Sequence, residues 1–65
     1  MGMDSDSAAL SSIATALEEL TARVSEIAGR YDGTARADVA ADLYDVERSL
    51  RTANRRLAKV RGALA

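Results

Sequence analysis

Sixty-five residues with a formal net charge of −1 leave room for one small domain, and chains below ~70–80 residues usually need a disulfide, a metal or a partner to hold a single core together. Cys and His are both absent, which excludes disulfide staples and the usual zinc sites and leaves association as the source of the missing stability. The charge is also split, because residues 1–47 carry ten acids and three Arg while residues 48–65 carry six bases and no acid, an asymmetry that is a second informative feature of the chain.

Residues 1–6 read as a flexible N-terminal tail, with Ser5, Asp6 and Ser7 all able to cap a helix beginning there. A first helix is expected over about 7–31. Its apolar residues Leu10, Ile13, Leu17, Leu20, Val24, Ile27 and Tyr31 alternate spacings of three and four, which draws one stripe along a helix. Glu19/Arg23 and Glu26/Arg30 stand acid before base at i, i+4, the favourable order for a helix. Ala9, Ala14, Ala16 and Ala28 flank the stripe.

A turn is expected at about 32–34. Gly29 offers an early stop, but Asp32-Gly33 is the stronger turn signal, since glycine tolerates the left-handed conformation that ends helices. Thr34 can cap the second helix, which is expected over about 35–62. There Val39, Leu43, Val46, Leu50, Ala53, Leu57, Val60 and Leu64 show the same three-four alternation. Asp38 falls in its first turn, where a carboxylate suits the positive end of the helix dipole, and the Arg-rich second half suits the negative end.

The fold class read from these elements is all-α: an antiparallel two-helix coiled-coil hairpin that dimerises into a four-helix bundle. A short turn makes the helices antiparallel neighbours. With the turn centred near residue 35, Leu10 comes opposite Val60, Leu17 opposite Ala53, Val24 opposite Val46 and Tyr31 opposite Val39. Leu17, Leu20, Leu50 and Leu57 are expected to be buried in the seam between the helices. The alanines beside the stripe, with Ala35, Ala37, Ala40 and Ala41 in the second helix, let further helices approach closely, which favours two hairpins over one.

Catalysis has little to draw on. With no His, no Cys and one Lys, the hydroxyls lack a base other than carboxylates, and their expected roles are capping and solvated surface. Asp38, Asp42, Asp45 and Glu47 could offer oxygen ligands, but a straight helix does not wrap a hard cation, no calcium-loop spacing is present, and the pairs Asp45/Arg48 and Glu47/Arg51 account for half of the cluster without a metal. No catalytic, cofactor-binding or metal-binding residue is therefore assigned. No apolar run reaches the ~18–20 residues needed to span a membrane, so the expectation is a cytoplasmic protein without membrane contact. Eight of the nine bases are Arg and fourteen residues are Ala, a codon signature of a GC-rich bacterial genome.

The candidate partner-binding residues are Arg48, Arg51, Arg55 and Lys59, which form one outward stripe, and Tyr44, outside the expected seam beside Ala37, Ala40 and Ala41. Arg56 and Arg61 flank the seam. An Arg stripe suits forked contacts to carboxylates of an acidic protein partner or phosphates of nucleic acid. The near-neutral net charge and the lack of stacking aromatics weigh against the second. It can also be neutralised by Asp4, Asp6, Glu18 and Glu19 on the first helix.

The stretch Ala16-Leu17-Glu18-Glu19-Leu20, followed by an Arg-rich second helix, resembles the small subunit of exonuclease VII, a family of short helical hairpins that pack on a large catalytic subunit. The family's turn, Ser-Gly followed by Leu and paired Glu, is replaced here by Tyr31-Asp32-Gly33-Thr34, and no function is carried over. The functional expectation is a non-enzymatic protein–protein interaction module that forms a homodimer or docks on a partner helix. The alternatives are a nucleic-acid-binding protein using the Arg-rich face and an anti-sigma or antitoxin-like regulator.

Overall fold

The computed structural model describes the backbone of residues 2–64 and the side chains of residues 5–64. It is an all-helical hairpin of α1 (Gly2–Tyr31) and α2 (Ala37–Leu64) packed on each other. α1 thus begins ahead of the start expected near Ser7; no Pro or Gly interrupts residues 3–10, and Asp6 near its start suits the helix dipole. Met1 and the side chain of Asp4 lie outside the described residues.

The turn spans residues 32–36, two more than expected, and α2 correspondingly begins at Ala37 rather than Ala35. α1 runs through Gly29 and ends where Gly33 adopts a positive φ of 73°, the left-handed geometry that only glycine takes without strain. Thr34, expected to cap the second helix, lies in the turn three residues ahead of α2 and ties the two helix ends together. Its hydroxyl accepts from the Arg36 amide at 3.1 Å and donates back to the Tyr31 carbonyl at 2.5 Å, so one side chain closes the first helix and opens the second. Its carbonyl accepts from the Ala37 amide at 3.2 Å. Asp38 sits in the first turn of α2 and takes a two-pronged contact from Arg36, at 3.0 and 3.2 Å.

The chain doubles back so that Arg61, near the end of α2, donates to Ser11 Oγ near the start of α1 at 3.3 Å, while Tyr44 Oη reaches Asp32 at the turn at 3.4 Å. The seam between the helices differs from the expected one. Leu10, Leu17 and Val24 of α1 and Leu43, Leu50 and Leu57 of α2 border it, each half-buried. The second row of each helix is rotated by one residue. Ala14, Thr21 and Ala28 on α1, and Ala40, Glu47, Asn54 and Arg61 on α2, turn inward. Ile13, Leu20, Ile27, Tyr31, Val46 and Val60, expected in the seam, are between 38 and 49% exposed, and Ala53 is exposed as well.

One residue is about 100° around a helix, so the leucine rows have an apolar neighbour on one side and a small or polar neighbour on the other. The hairpin closes on the small side. Ala14, Ala28 and Ala40 are at most 5% exposed, because helices that meet on Ala can approach closely and surround a methyl completely. The larger Ile and Val rows are left outside. Thr21, also buried, satisfies its hydroxyl within its own helix by donating to the Leu17 carbonyl at 2.6 Å.

The hairpin is long and thin, 52 × 14 × 11 Å, with a radius of gyration of 15.1 Å, against about 11 Å for a compact chain of this length. Its accessible surface is 4791 Å², where a compact monomer of this mass exposes about 4,000 Å². No large side chain among the described residues is fully buried. Among the described residues, no helix is long and apolar enough to cross a membrane.

Candidate interaction site

The rotation that closes the seam on small residues gathers the excluded rows on one side of the hairpin. In helices running opposite ways, the residue before each inward-facing position points to the same flank of the pair. Ile13 and Leu17 of α1 accordingly line one open groove of about 690 Å³ with Ser49, Thr52, Ala53, Leu57 and Val60 of α2. The guanidinium-bearing Arg48 and Arg56 border it. Leu20, Ile27 and Val46 continue the same rows towards the turn, at seven-residue intervals. The result is an apolar strip along the length of the molecule.

The seam itself is partly polar. Glu47 is drawn into it with its side chain only 13% exposed; one carboxylate oxygen is held by Arg51 at 2.7 Å, and the other is buried with no hydrogen-bond partner. Asn54 and Arg61 occupy the next two inward positions, half-buried. Such groups add little packing energy and cost desolvation, so the closed side of the hairpin is the weaker of its two faces.

Of the residues singled out from the sequence, Arg48 borders the groove, while Arg51, Arg55, Lys59 and Tyr44 do not line it. Arg48, Arg51, Arg55 and Lys59 are all exposed, but they are not a bare cationic stripe. Arg48 pairs with Asp45 at 3.0 Å, Arg51 with Glu47 at 2.7 Å, and Arg55 donates to Thr52 Oγ1 at 3.1 Å. Arg61, expected to flank the seam, turns into it and donates to Ser11. Tyr44 is exposed beside the turn; its partial burial, then the charge of Asp32 and the hydrogen bond to it, and finally the charge of Glu47 raise its phenol above the ordinary value. The pairs Glu19/Arg23 and Glu26/Arg30 do not close to ion-pair distance, while Arg36/Asp38, three residues wide at the turn, does. Arg36 holds the Asp38 carboxyl below its ordinary value.

Among the described residues, no group of three or more acids could hold a metal ion. Asp42 belongs to the row of Ser49 and Arg56, and Asp45 to that of Thr52 and Lys59, so the acids at the start of α2 spread over its edge instead of converging. The open strip escapes a reading of the sequence because its residues look like seam residues. The signal for it is the width of the apolar arc: each leucine row is flanked on both sides by residues able to be buried, more than one helix–helix contact uses. No protein-family model matches this chain, that of the exonuclease VII small subunit included, and no curated protein and no solved structure matches it.

Proposed function

We propose that this chain is a non-enzymatic helical interaction module, and that its open strip is the contact surface: a second hairpin docks there to complete a four-helix bundle with coiled-coil packing between antiparallel helices. The observation that carries the reading is the row Ile13, Leu20, Ile27, Val46 and Val60, large and apolar at heptad spacing, yet nearly half exposed. Contiguous apolar strips of this size mark interaction surfaces on small proteins. The alanines on the closed side support it too, because they hold the hairpin together without using the large residues. A partner helix from a different protein would use the same strip.

The alternative of nucleic-acid binding finds less support. Two of its four stripe cations are already paired with acids on their own helix, which lowers the number of phosphates the stripe can neutralise.

Sedimentation equilibrium tests the reading. The expected mass is twice the 6.9 kDa of the chain, with a melting temperature that rises with protein concentration. Leu20→Asp puts an unpaired charge in the strip and should weaken association by about a hundredfold or more. A folded monomer at all concentrations, or an unaffected Leu20→Asp variant, would refute self-association through this face. No salt-dependent binding to random duplex DNA is expected in the same samples at near-physiological salt.

A further inference from the structure

We infer that the occupant of the open strip is a second copy of this chain turned end for end, so that its turn lies beside the first copy's open end. The inference rests on the self-association reading above and adds the orientation. Its basis is the edge of α2 that borders the groove. Ser49, Thr52 and Arg56 line the groove, and residues seven apart share a column along a helix. Asp42, Ser49 and Arg56 therefore form one column on that edge, and Asp45, Thr52 and Lys59 form the next. Both columns read acid, hydroxyl, base.

A column with this order is complementary to itself when reversed. Its centre lies at Ser49 and Thr52, level with the middle of the apolar row Val39, Val46, Ala53, Val60 and close to the level of Leu20, the middle of Ile13, Leu20, Ile27. The apolar rows and the charged columns thus share one centre, as a two-fold interface requires. Reversal about it stacks α2 on α2 and α1 on α1. Asp42 and Asp45 of each copy then come over Arg56 and Lys59 of the other, and the Ile and Val rows cover each other. Stacking in the same direction would instead set α2 over α1, with Arg56 and Lys59 opposite Ala9, Ser12 and Ala16, which carry no charge, and Asp42 and Asp45 beside Arg23, Glu26 and Arg30, so that the acids find bases but the bases of α2 find no acid at their level.

The area fits the same occupant. The chain exposes about 800 Å² more than a compact monomer of its mass, and about 800 Å² is what each partner of a standard-size interface buries.

Two measurements test the orientation. A nitroxide attached at Ala35→Cys, in the exposed turn, reports the turn-to-turn distance in the dimer by pulsed dipolar spectroscopy. Fifteen residues on each side of the centre, at about 1.5 Å per residue, give an expected separation of about 45 Å. Same-direction stacking would bring the labels within about 20 Å of each other, given helix layers about 10 Å apart. The second measurement uses two charge variants, Asp42→Arg with Asp45→Lys, and Arg56→Glu with Lys59→Glu. Each alone should keep its helical signal and dimerise about tenfold more weakly, and the two mixed should form a heterodimer about as tight as the parent. A short label distance, or variants that fail to pair on mixing, would overturn the orientation while leaving self-association intact. A monomeric parent protein would instead remove the reading on which it rests.

Discussion

The two long faces of the hairpin are built from opposite materials. The closed seam meets on Ala14, Ala28 and Ala40, with Thr21, Glu47, Asn54 and Arg61 among its inward residues. The open face carries Ile13, Leu20, Ile27, Val46 and Val60. A small protein ordinarily hides its large aliphatic side chains first, since each contributes about 1.5–3 kcal/mol on full burial. Here the buried residues, among those described, are three alanines and a threonine, while the large aliphatic side chains are half-buried or exposed. The contrast teaches that the hairpin contact serves shape, bringing two helices close and parallel to one axis, while most of the available hydrophobic energy is held on the face left open.

The leucines between the faces offer the sharpest way to break this contrast. Leu57 borders both the seam and the groove. Leu57→Ala should cost about 2–5 kcal/mol where the open face is covered, and only about 1–2 kcal/mol where it is not, because half the side chain is then already in water. Denaturant unfolding at high and low protein concentration separates the two values. A cost that does not change with concentration in a protein shown to dimerise would mean that Leu57 belongs to the seam alone.

Ala28 probes the closed side. It is fully buried, so Ala28→Leu must push the helices apart and should cost about 1–3 kcal/mol. Ala22→Leu, on an exposed position of the same helix, should leave the melting curve nearly unchanged. Equal effects at the two sites would contradict close packing on alanine.

Glu47 should respond in the other direction. Its unpartnered buried oxygen makes it a cost to the seam, and Glu47→Leu should raise stability by about 1 kcal/mol or more, read as a higher denaturation midpoint. A loss of stability would show that the contact with Arg51 outweighs the desolvation.

The smallest effect is at the turn. Arg36 lowers the Asp38 carboxyl below its ordinary 3.8, so the pair stabilises the fold above the ordinary carboxylate range and that contribution fades as pH falls through and below it. Both side chains are about two-thirds exposed, which keeps the effect small through solvent screening. Parent and Arg36→Ala melting temperatures should differ slightly at neutral pH and converge in acid. A difference that persists in acid would place the role of Arg36 outside the ion pair.

Much of the hairpin is legible in the sequence. Two three-four alternations give two helices, and Asp32-Gly33-Thr34 marks the end of one and the cap of the other, because the left-handed backbone at Gly33 and the hydroxyl of Thr34 act locally. Leu17, Leu50 and Leu57 border the seam as the spacing suggests. Leu20 does not, nor do Ile13, Ile27, Val46 and Val60. The apolar stripe identifies the leucine row but is silent on which side of it the neighbouring helix lies, and that choice depends on how closely two backbones can approach. The alanines that decide it look, in sequence, like ordinary helix formers. The basic stripe is legible as charge, and so is its pairing, because Asp45/Arg48 at i, i+3 and Glu47/Arg51 at i, i+4 share a helix face and both close in the structure.

The lack of any fully sheltered large side chain bears on how long a single copy survives. Proteases cut chains in proportion to the time they spend opened, and a hairpin whose large side chains are all at least partly exposed has little burial to oppose opening. Covering the strip raises the free energy of opening by mass action. On the proposed self-association, turnover would couple to occupancy: copies covered by a second hairpin would persist longer than uncovered ones, and a proteolysis rate that falls with rising protein concentration would show it.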